Sequence, residues 1–472
     1  MGRTKKLVKN LSFIAIGNIG SKLMGFIMLP LYTSWLSPAD YGLTDIISVY
    51  AALLLNVIAC DISDAIYIFP IGADKKKIRE YYSTGFFFQI FCTLVAIPLF
   101  YVFTLFNSDN AIFQYSWYVY GILISSLFQK YTQDFCRGIG KMSVFSFTGI
   151  VQSGVMAGFS LLMIPVMGVW GFVLATIISN VVTASFTFFY SRSYEYLSMN
   201  NFSRVSLVEM LRYTVPLIPT AVLWWFVNGL NRPLLENYCG FASIGLMAVA
   251  LKLPSIINLV FNFFQQAWIV AVVEEIKSPT FVEYYNRMFR VVFAAQTIGC
   301  VCIIIIAKPF ISIMTTQEFY SAYKYIPLLT IGSIFCNMTA FLGTVFSAFH
   351  NSRYTMYTVV FGGLTAIAAN LLFIPLWGLW GACLAIVMAH IVSTVTRIIF
   401  SSRYVKFSNT CFLVYQIIPI VMAYLSMAFL SGIVLLIGYV ACFAMYWVLN
   451  RNSIMSVVFL VRYNIKKKNK YN

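Results

Sequence analysis

Long apolar runs, separated by short polar or turn-forming segments, extend over the whole chain of 472 residues. The runs are continuous rather than alternating, as at residues 301–307, and this pattern favours helices over the strands of a membrane barrel. A helix of roughly 20 apolar residues crosses the hydrocarbon core of a bilayer and satisfies its own backbone polar groups. The gaps are too short for a large soluble domain. The pattern predicts an all-α polytopic membrane protein.

The runs predict about fourteen transmembrane helices. Six lie at about 11–36, 41–70, 81–106, 112–133, 143–166 and 169–190. Six more lie at about 211–235, 242–271, 290–314, 324–348, 354–375 and 377–400, and two at about 410–430 and 432–450. The first run is too long for a cleavable signal and is expected to be a membrane helix. Pro216, Pro219 and Pro254 are expected to bend the seventh and eighth helices.

Composition supports the membrane class, since 60% of residues are hydrophobic and 10% are charged. A net charge of +17 would suggest nucleic acid in a soluble protein, but these charges fall mainly between the apolar runs. With the N-terminus in the cytoplasm, most Lys and Arg lie in cytoplasmic loops, as the positive-inside rule requires. They include Arg353, Arg397, Arg403, Lys406 and a tail at 462–470 that is expected to meet anionic lipid headgroups. Both termini are predicted to be cytoplasmic, and no nucleic-acid partner is predicted.

Two matches within the chain predict a duplicated unit. Residues 164–175 and 374–385 share Ile-Pro, Gly, Trp-Gly and Leu-Ala in the same order. Pro30 and Gly42 recur with the same spacing as Pro233 and Gly245, at a similar offset. The repeat predicts a six-helix N-lobe at 1–195 and a six-helix C-lobe at 196–405, related by a pseudo-twofold along the membrane normal. Residues 406–472 hold the last two helices and the basic tail.

Cations within the apolar runs are the main candidates for a binding site. A charge near the bilayer centre costs about 2.5–3.5 kcal/mol, so each needs a partner, a wet cavity or a function. Lys22 has Asn18 a turn earlier, Lys252 lies near the middle of the eighth helix, and Arg232 follows Asn228 on the seventh. Cations in a cleft suit an anionic group that must leave water, such as a diphosphate.

Purely structural roles for these charges stay open. Lys22 could neutralise Asp61 or Asp45, and Arg232 could pair with Glu236 four residues later. The lysines favour a substrate role more strongly than Arg232 does, because the eighth helix itself offers Lys252 no nearby acid.

Acidic groups and a histidine could couple transport to an ion gradient. Asp61, Asp64 and His390 are candidates for binding H⁺ or Na⁺, although a lone intramembrane histidine is more often a hydrogen-bonding group between helices. Asp45 is a candidate for balancing charge. A further group near the inner end of the fourth helix, made by Lys130, Asp134 and Arg137, is interpreted as a solvated interfacial cluster.

The chain offers no sign of enzymatic chemistry. Most of its ten cysteines lie inside apolar runs without metal-ligand spacing, and it lacks a Walker loop and a nucleophile elbow. No cofactor or metal is predicted apart from a possible H⁺ or Na⁺ gradient. A membrane polymerase or ligase would need a larger outer loop.

Several motifs occur in a fixed order along the chain: residues 10–17 followed by Lys22, Pro30 to Thr33, Leu36 to Pro38, Tyr41 to Gly42 with Asp45, and the stretches 133–141, 245–252 and 264–268. Together they resemble the O-antigen and polysaccharide repeat-unit flippases (Wzx type) of the multidrug/oligosaccharidyl-lipid/polysaccharide (MOP) exporter superfamily. The resemblance spans roughly residues 8–400 and depends on the order and spacing of loose motifs.

The resemblance implies two lobes around a cationic cavity that alternate between inward-open and outward-open states in a bacterial cytoplasmic membrane. It implies an undecaprenyl-diphosphate-linked oligosaccharide as cargo, for O-antigen, capsule or a related glycan. Lys22, Asp45 and Lys252 carry over as cavity candidates. Implied partners are membrane lipids, a polysaccharide polymerase and a chain-length regulator. A cation-coupled multidrug (MATE-like) exporter and a lipid II flippase remain alternatives.

Overall fold

The computed structural model describes residues 20–105, 110–276, 278–349, 351–407, 412 and 415–471, with side chains as far as Arg451 except that of Ser352. Within these ranges the chain is helical, with short turns and no strand. Two compact units are present. The first contains the described residues up to Ala248 with Met314–Phe319 and Ile374–Leu379, and the second contains Val249–Ile313, Tyr320–Phe373 and the described residues from Trp380 onward.

Seven helices and the start of an eighth form most of the first unit. They are α1 (20–27 and Leu29–Trp35), α2 (Pro38–Ile58 and Ile62–Ile68), α3 (Lys75–Leu105), α4 (Ser116–Gly138), α5 (Met142–Met167), α6 (Val169–Tyr190), α7 (Arg204–Cys239) and the first part of α8 (Phe241–Ala250). α4 packs against α6 and α2, and α5 packs against α6. α7 lies against α2 and α3, so this unit extends beyond the predicted lobe boundary at residue 195.

The second unit contains the longer part of α8 and the remaining helices. They are α8 (Pro254–Glu275), α9 (Phe281–Met314), α10 (Ile326–Ala348), α11 (Ser352–Trp377), α12 (Leu379–Ser401), α13 (Ile417–Phe429) and α14 (Gly432–Tyr471). Within this unit α8 packs against α10, and α13 packs against α14. The three predicted domain ranges stay a prediction.

Each predicted membrane helix has a helical counterpart. In the described residues, eleven helices are long and apolar enough to cross a membrane by length and composition. The other three counterparts are α1, which is described only from residue 20, the more polar α4, and the short α13. The prediction of an all-α polytopic membrane protein with about fourteen helices is confirmed.

Local sequence signals explain where several helices begin. Ser37 caps α2, because its hydroxyl accepts from the Asp40 N–H while the Asp40 carboxylate accepts from the Ser37 N–H, and Pro38 occupies the first turn. The two repeated segments also form one kind of turn. Gly168 and Gly378 have φ of 56° and 55°, and each donates its N–H over 2.8 Å to the isoleucine four residues earlier. The sequence repeat therefore has a matching local structure.

Four of the described helices are interrupted, α1 only at Met28. α2 breaks where Cys60 and Asp61 both adopt left-handed conformations, with φ of 49° and 48°. α7 passes through a 3₁₀ turn at Val215–Leu217, as its prolines predict. α8 is broken at residues 251–253, just before Pro254. Irregular backbone at membrane depth is tolerated where protein or a water-filled cavity surrounds it.

Candidate functional site

A cavity of about 440 Å³ lies beside Lys22 in the first unit, lined by polar side chains together with the apolar Met156 and Phe172. Its walls come from α1, α2, α5 and α6. The polar side chains that line it with Lys22 are Ser21, Ser48, Gln152, Ser153, Thr176, Ser179 and Asn180. Hydroxyls and amides can both donate and accept hydrogen bonds, whereas the lysine can only donate. The cavity therefore suits a ligand that combines hydroxyl groups with negative charge.

A chain of hydrogen bonds fixes the amides at the wall of this cavity. Gln129 of α4 donates to Gln152 of α5 over 2.8 Å, and Gln152 donates to Asn180 of α6 over 3.2 Å. Asn180 in turn donates to the hydroxyls of Ser125 and Ser126, over 3.2 and 3.0 Å. The network orients each amide, so the cavity presents a defined pattern of donors and acceptors.

Arg232 is buried in the first unit beside Asp45. Its Nε lies 3.1 Å from Asp45 Oδ2, and its Nη1 donates to the Asn228 carbonyl over 2.5 Å and to Asn231 Oδ1 over 2.9 Å. The side chain of Asn228 is exposed and donates to the Trp224 carbonyl. The expected alternative pairing of Arg232 with Glu236 is wrong, because the guanidinium faces α2 and not the next turn of its own helix.

Glu236 has partners of its own. Tyr50 of α2 donates its hydroxyl to Glu236 Oε2 over 3.1 Å, and the Ala111 N–H donates to Oε1. The carboxylate thus joins α7 to α2 and to the short helix Ala111–Gln114 that precedes α4. Together with the Arg232–Asp45 pair, it forms a polar connection between α7 and α2.

Two glycines allow α2 and the first part of α8 to touch through their backbones. A β-carbon at Gly42 would overlap the carbonyl oxygen of Phe241, and one at Gly245 would overlap the carbonyl oxygen of Pro38. These are the two glycines that the sequence repeat made equivalent. Only glycine permits so close an approach, and the contact lies one helical turn from Asp45.

A second ionic cluster lies where α2 breaks. Lys130 of α4 approaches Asp61 at 2.6 Å and Asp64 at 3.6 Å, and Arg137 pairs with Asp134 at 3.1 Å. Asp61 and Asp134 are buried. Of the three residues interpreted as a solvated cluster, Asp134 is buried, whereas the side chains of Lys130 and Arg137 are 30% and 33% exposed, so solvent still reaches the two cations.

The remaining candidates are placed as follows. Lys252 lies in the break of α8, where its carbonyl accepts from the Ser255 hydroxyl over 2.6 Å. His390 is buried in α12, and within the described residues its Nδ1 has no hydrogen-bond partner. Asn18 lies outside the described residues. In transporters, broken helices are common sites of substrate or ion binding, and the role of Lys252 stays a prediction.

Arg397 is a buried cation that sequence reasoning missed. It falls near the cytoplasmic end of the predicted helix 377–400 and was counted among the exposed cytoplasmic charges, but it is 4% exposed and donates to the Thr339 carbonyl over 2.5 Å and the Thr358 hydroxyl over 3.1 Å. A β-carbon at Gly343 would overlap its Nη1. The apolar residues that follow it, at 398–400, were the signal that Arg397 lies inside the helix and not in the loop after it.

The helical bundle is similar to those of solved transporters. The lipid II flippase MurJ, in an inward closed conformation, matches with a TM-score of 0.73 at 14% identity, over 93% of this chain and 99% of that chain. An inward-facing multidrug resistance transporter of the MATE family, from the MOP superfamily, matches with a TM-score of 0.63 at 14% identity, over 89% and 96% of the two chains. The fold is that of the MOP-superfamily membrane transporters.

The sequence narrows this class to a family. The profile of the polysaccharide biosynthesis protein family matches residues 7–274, and the chain belongs to that family. The capsular polysaccharide biosynthesis protein CapF of Staphylococcus aureus is 23% identical over 412 residues, which cover 84% of this chain and 100% of CapF. The predicted membership of a polysaccharide family is confirmed, and the fold is the one that the solved transporters of the MOP superfamily share.

Proposed function

We propose that this protein is a flippase that moves an undecaprenyl-diphosphate-linked oligosaccharide from the cytoplasmic to the outer leaflet by alternating access. The observation that carries the proposal is the cavity beside Lys22, where a cation lies with hydroxyl and amide side chains in one cavity of the helical bundle. A diphosphate-linked sugar has both features that such a cavity complements. Membership of the polysaccharide biosynthesis family and the likeness to CapF support a glycan precursor as cargo.

Lys22 and Lys252 are the proposed contacts for the diphosphate. Both are lysines within apolar runs, and Lys252 lies where α8 is unwound. Gln152 and Asn180 are proposed to contact the sugar. Arg232 is a weaker candidate for the phosphate, because Asp45 already balances its charge. We propose that the Arg232–Asp45 pair instead holds α7 against α2 in this state of the transport cycle.

Energy for transport is proposed to come from an H⁺ or Na⁺ gradient. Asp61, Asp64 and His390 remain the candidate groups, although the two carboxylates share Lys130 in this state. The proposed location is the bacterial cytoplasmic membrane, with both termini in the cytoplasm. A polysaccharide polymerase and a chain-length regulator are the proposed functional partners, since they would consume the flipped unit.

Deleting the gene in its host tests the proposal directly. We expect loss of a surface glycan and accumulation of the lipid-linked unit on the cytoplasmic side, measured by glycan staining and by lipid extraction. Normal glycan without accumulation would overturn the proposal. Greater sensitivity to cationic drugs with normal glycan would identify a multidrug exporter, and lysis with arrested cell-wall synthesis would identify a lipid II flippase.

Variants then test the cavity. Lys22→Ala and Lys252→Ala should each abolish glycan display, because the diphosphate loses a compensating charge, whereas Lys22→Arg should retain part of it. Lys76→Ala is the matched control, since Lys76 is exposed at the start of α3. Immunoblots of membranes must show equal amounts of each variant. Unchanged display in both alanine variants would refute the cationic site.

A further inference from the structure

The last third of the chain is basic and has no acidic residue. After Glu318 the sequence contains no further Asp or Glu, although it contains Lys324, Arg353, Arg397, Arg403, Lys406, Arg451 and the basic tail. Side chains from this part of the chain therefore cannot neutralise one another. Anions from outside the protein are the natural counter-charges for those of its cations that lie near the membrane surface.

A second polar cavity lies among these residues, at the start of α11 in the second unit. Its volume is about 470 Å³, and Asn351, Arg353, Tyr354 and Tyr357 line it. Arg353 is exposed, and Arg403 reaches the same place from the end of α12, where its Nη1 donates to the Tyr354 hydroxyl over 2.5 Å. Arg353 thus lines the cavity, and Arg403 contacts a tyrosine of its wall.

The hydrogen bonds around this cavity leave donors available for a ligand. The Tyr354 hydroxyl accepts from Arg403, and the Tyr404 hydroxyl accepts from Asn351 Nδ2 over 3.0 Å. A hydroxyl that accepts in this way keeps its own proton for another acceptor. Because arginine can only donate, the groups gathered here are suited to a ligand rich in acceptor oxygens, such as a phosphate.

Aromatic packing holds the cavity in shape. The Tyr354 ring stacks on Phe400 with centroids 5.3 Å apart and contacts Phe346 at 5.8 Å. The Arg403 guanidinium carbon lies 5.3 Å from the centroid of the Tyr354 ring, close enough for a cation–π contact. The site is therefore arranged before any ligand arrives, which lowers the cost of binding.

An apolar surface continues from the cavity along α11. Tyr357, Phe361 and Leu364 are all exposed, and their spacing of four and three residues places them on one face of the helix. A soluble phosphate would make no use of this face. An acyl chain attached to the phosphate could lie along it. A cationic pocket next to an apolar stripe therefore matches a phospholipid, which carries both a phosphate and acyl chains.

We propose that the cavity formed by Asn351, Arg353, Tyr354 and Tyr357, with Arg403, binds the phosphate of an anionic phospholipid whose acyl chain lies along α11. This site involves none of the residues assigned to the transported cargo. Its occupant is a resident membrane lipid that neutralises two arginines for which this part of the chain supplies no carboxylate.

Native mass spectrometry of the purified full chain tests the proposal with phosphatidylglycerol, phosphatidylcholine and soluble glycerol phosphate as probes. Phosphatidylglycerol should bind, and the variant Arg353→Gln/Arg403→Gln should bind it about 30-fold more weakly, as expected for the loss of two cations that face an anionic headgroup. Arg353→Lys/Arg403→Lys should keep part of the affinity. The matched control is Arg287→Gln, because Arg287 is exposed in the same unit and pairs with Glu283.

Three results would overturn the proposal. They are equal binding of phosphatidylglycerol by the wild type and the glutamine variant, equal binding of phosphatidylcholine and phosphatidylglycerol, and binding of glycerol phosphate as tight as that of the lipid. The size-exclusion profile and lipid-free melting temperature of each variant establish that it is folded. Phe361→Asn should weaken lipid binding through the acyl chain, a readout that the loss of charge alone would not produce.

Discussion

Two arginines buried in apolar helices, one in each unit, are stabilised in different ways. Arg232 is 8% exposed and lies 3.1 Å from the carboxylate of Asp45. Arg397 is 4% exposed, and no acidic side chain of the described residues forms an ion pair with it. Its donors instead meet a backbone carbonyl and a threonine hydroxyl. Arginine tolerates both environments because its charge is delocalised and weakly hydrated.

The two arginine sites differ in what remains buried when one of the interacting groups is removed by mutation. Taking Asp45 away leaves a cation without compensation, and an unpaired buried charge is far more costly than a pair replaced by apolar groups. Taking Arg397 away leaves only a carbonyl and a hydroxyl, each of which loses one hydrogen bond. The contact between α2 and α7 should therefore depend on charge balance, whereas that of α12 with α10 and α11 should depend on shape and hydrogen bonding.

The largest effect is expected from Asp45→Ala. It should lower the free energy of unfolding by about 3 kcal/mol, because Arg232 stays buried without its counter-charge. The double variant Asp45→Ala/Arg232→Met should recover most of that loss. Denaturant unfolding of protein purified in detergent provides the measurement. Equal losses in the single and double variants would show that the pair contributes nothing through charge.

Gly343→Ala should have the next largest effect, at about 2 kcal/mol, because its methyl group would overlap the Arg397 guanidinium and force it from its partners. The same change in an Arg397→Met background should cost less, since methionine is flexible and carries no fixed donors. Thermal unfolding of the four proteins gives the coupling between the two positions. Additive losses would mean that Gly343 and Arg397 do not constrain each other.

Arg397→Met alone should cost about 1 kcal/mol, the scale of hydrogen bonds between membrane helices. Its smaller effect relative to Asp45→Ala is the direct test of the contrast between the two arginines. A loss as great as that of Asp45→Ala would indicate that Arg397 compensates an anion, and the contrast would then be wrong.

The smallest effect is expected from Glu283→Gln. Glu283 and Arg287 lie 3.9 Å apart on the exposed surface of α9, so the change should cost roughly 0.3 kcal/mol and less in high salt. It is the surface control for the two buried arginines. A loss above about 1 kcal/mol would show that exposure is a poor guide to the energetics of this protein.

Much of the fold could be predicted from the chain because hydrophobic runs and turn residues are local signals. Ser37 and Pro38 mark the start of α2, and Pro254 marks the break of α8. The glycines of the two repeated turns were visible as well. The break at Cys60 and Asp61 could not be predicted, because neither residue type indicates a left-handed conformation. Only the surrounding packing imposes that conformation.

The site was predicted less completely, because charge pairing depends on long-range geometry. Arg232 has Glu236 four residues away in sequence, yet its partner is Asp45, 187 residues away. Lys130 likewise meets Asp61 across helices. Lys22 was found because a cation in an apolar run stands out by itself. The amides around its cavity were not found, because nothing in the sequence distinguishes Gln152 and Asn180 from other polar residues on helices. Only the packing of the neighbouring helices brings them together.

The contact of Gly42 with Gly245 is a joint made of backbone atoms alone. Backbone atoms have no rotamers, so the spacing between the two helices cannot adjust by a side chain turning aside. Asp45 lies one turn along α2 from this contact. The fixed backbone contact therefore also limits how far Asp45 can move relative to Arg232. While α2 and α8 are in contact, the Arg232–Asp45 ion pair is therefore either formed or broken, because the fixed position of α2 leaves little room for intermediate distances.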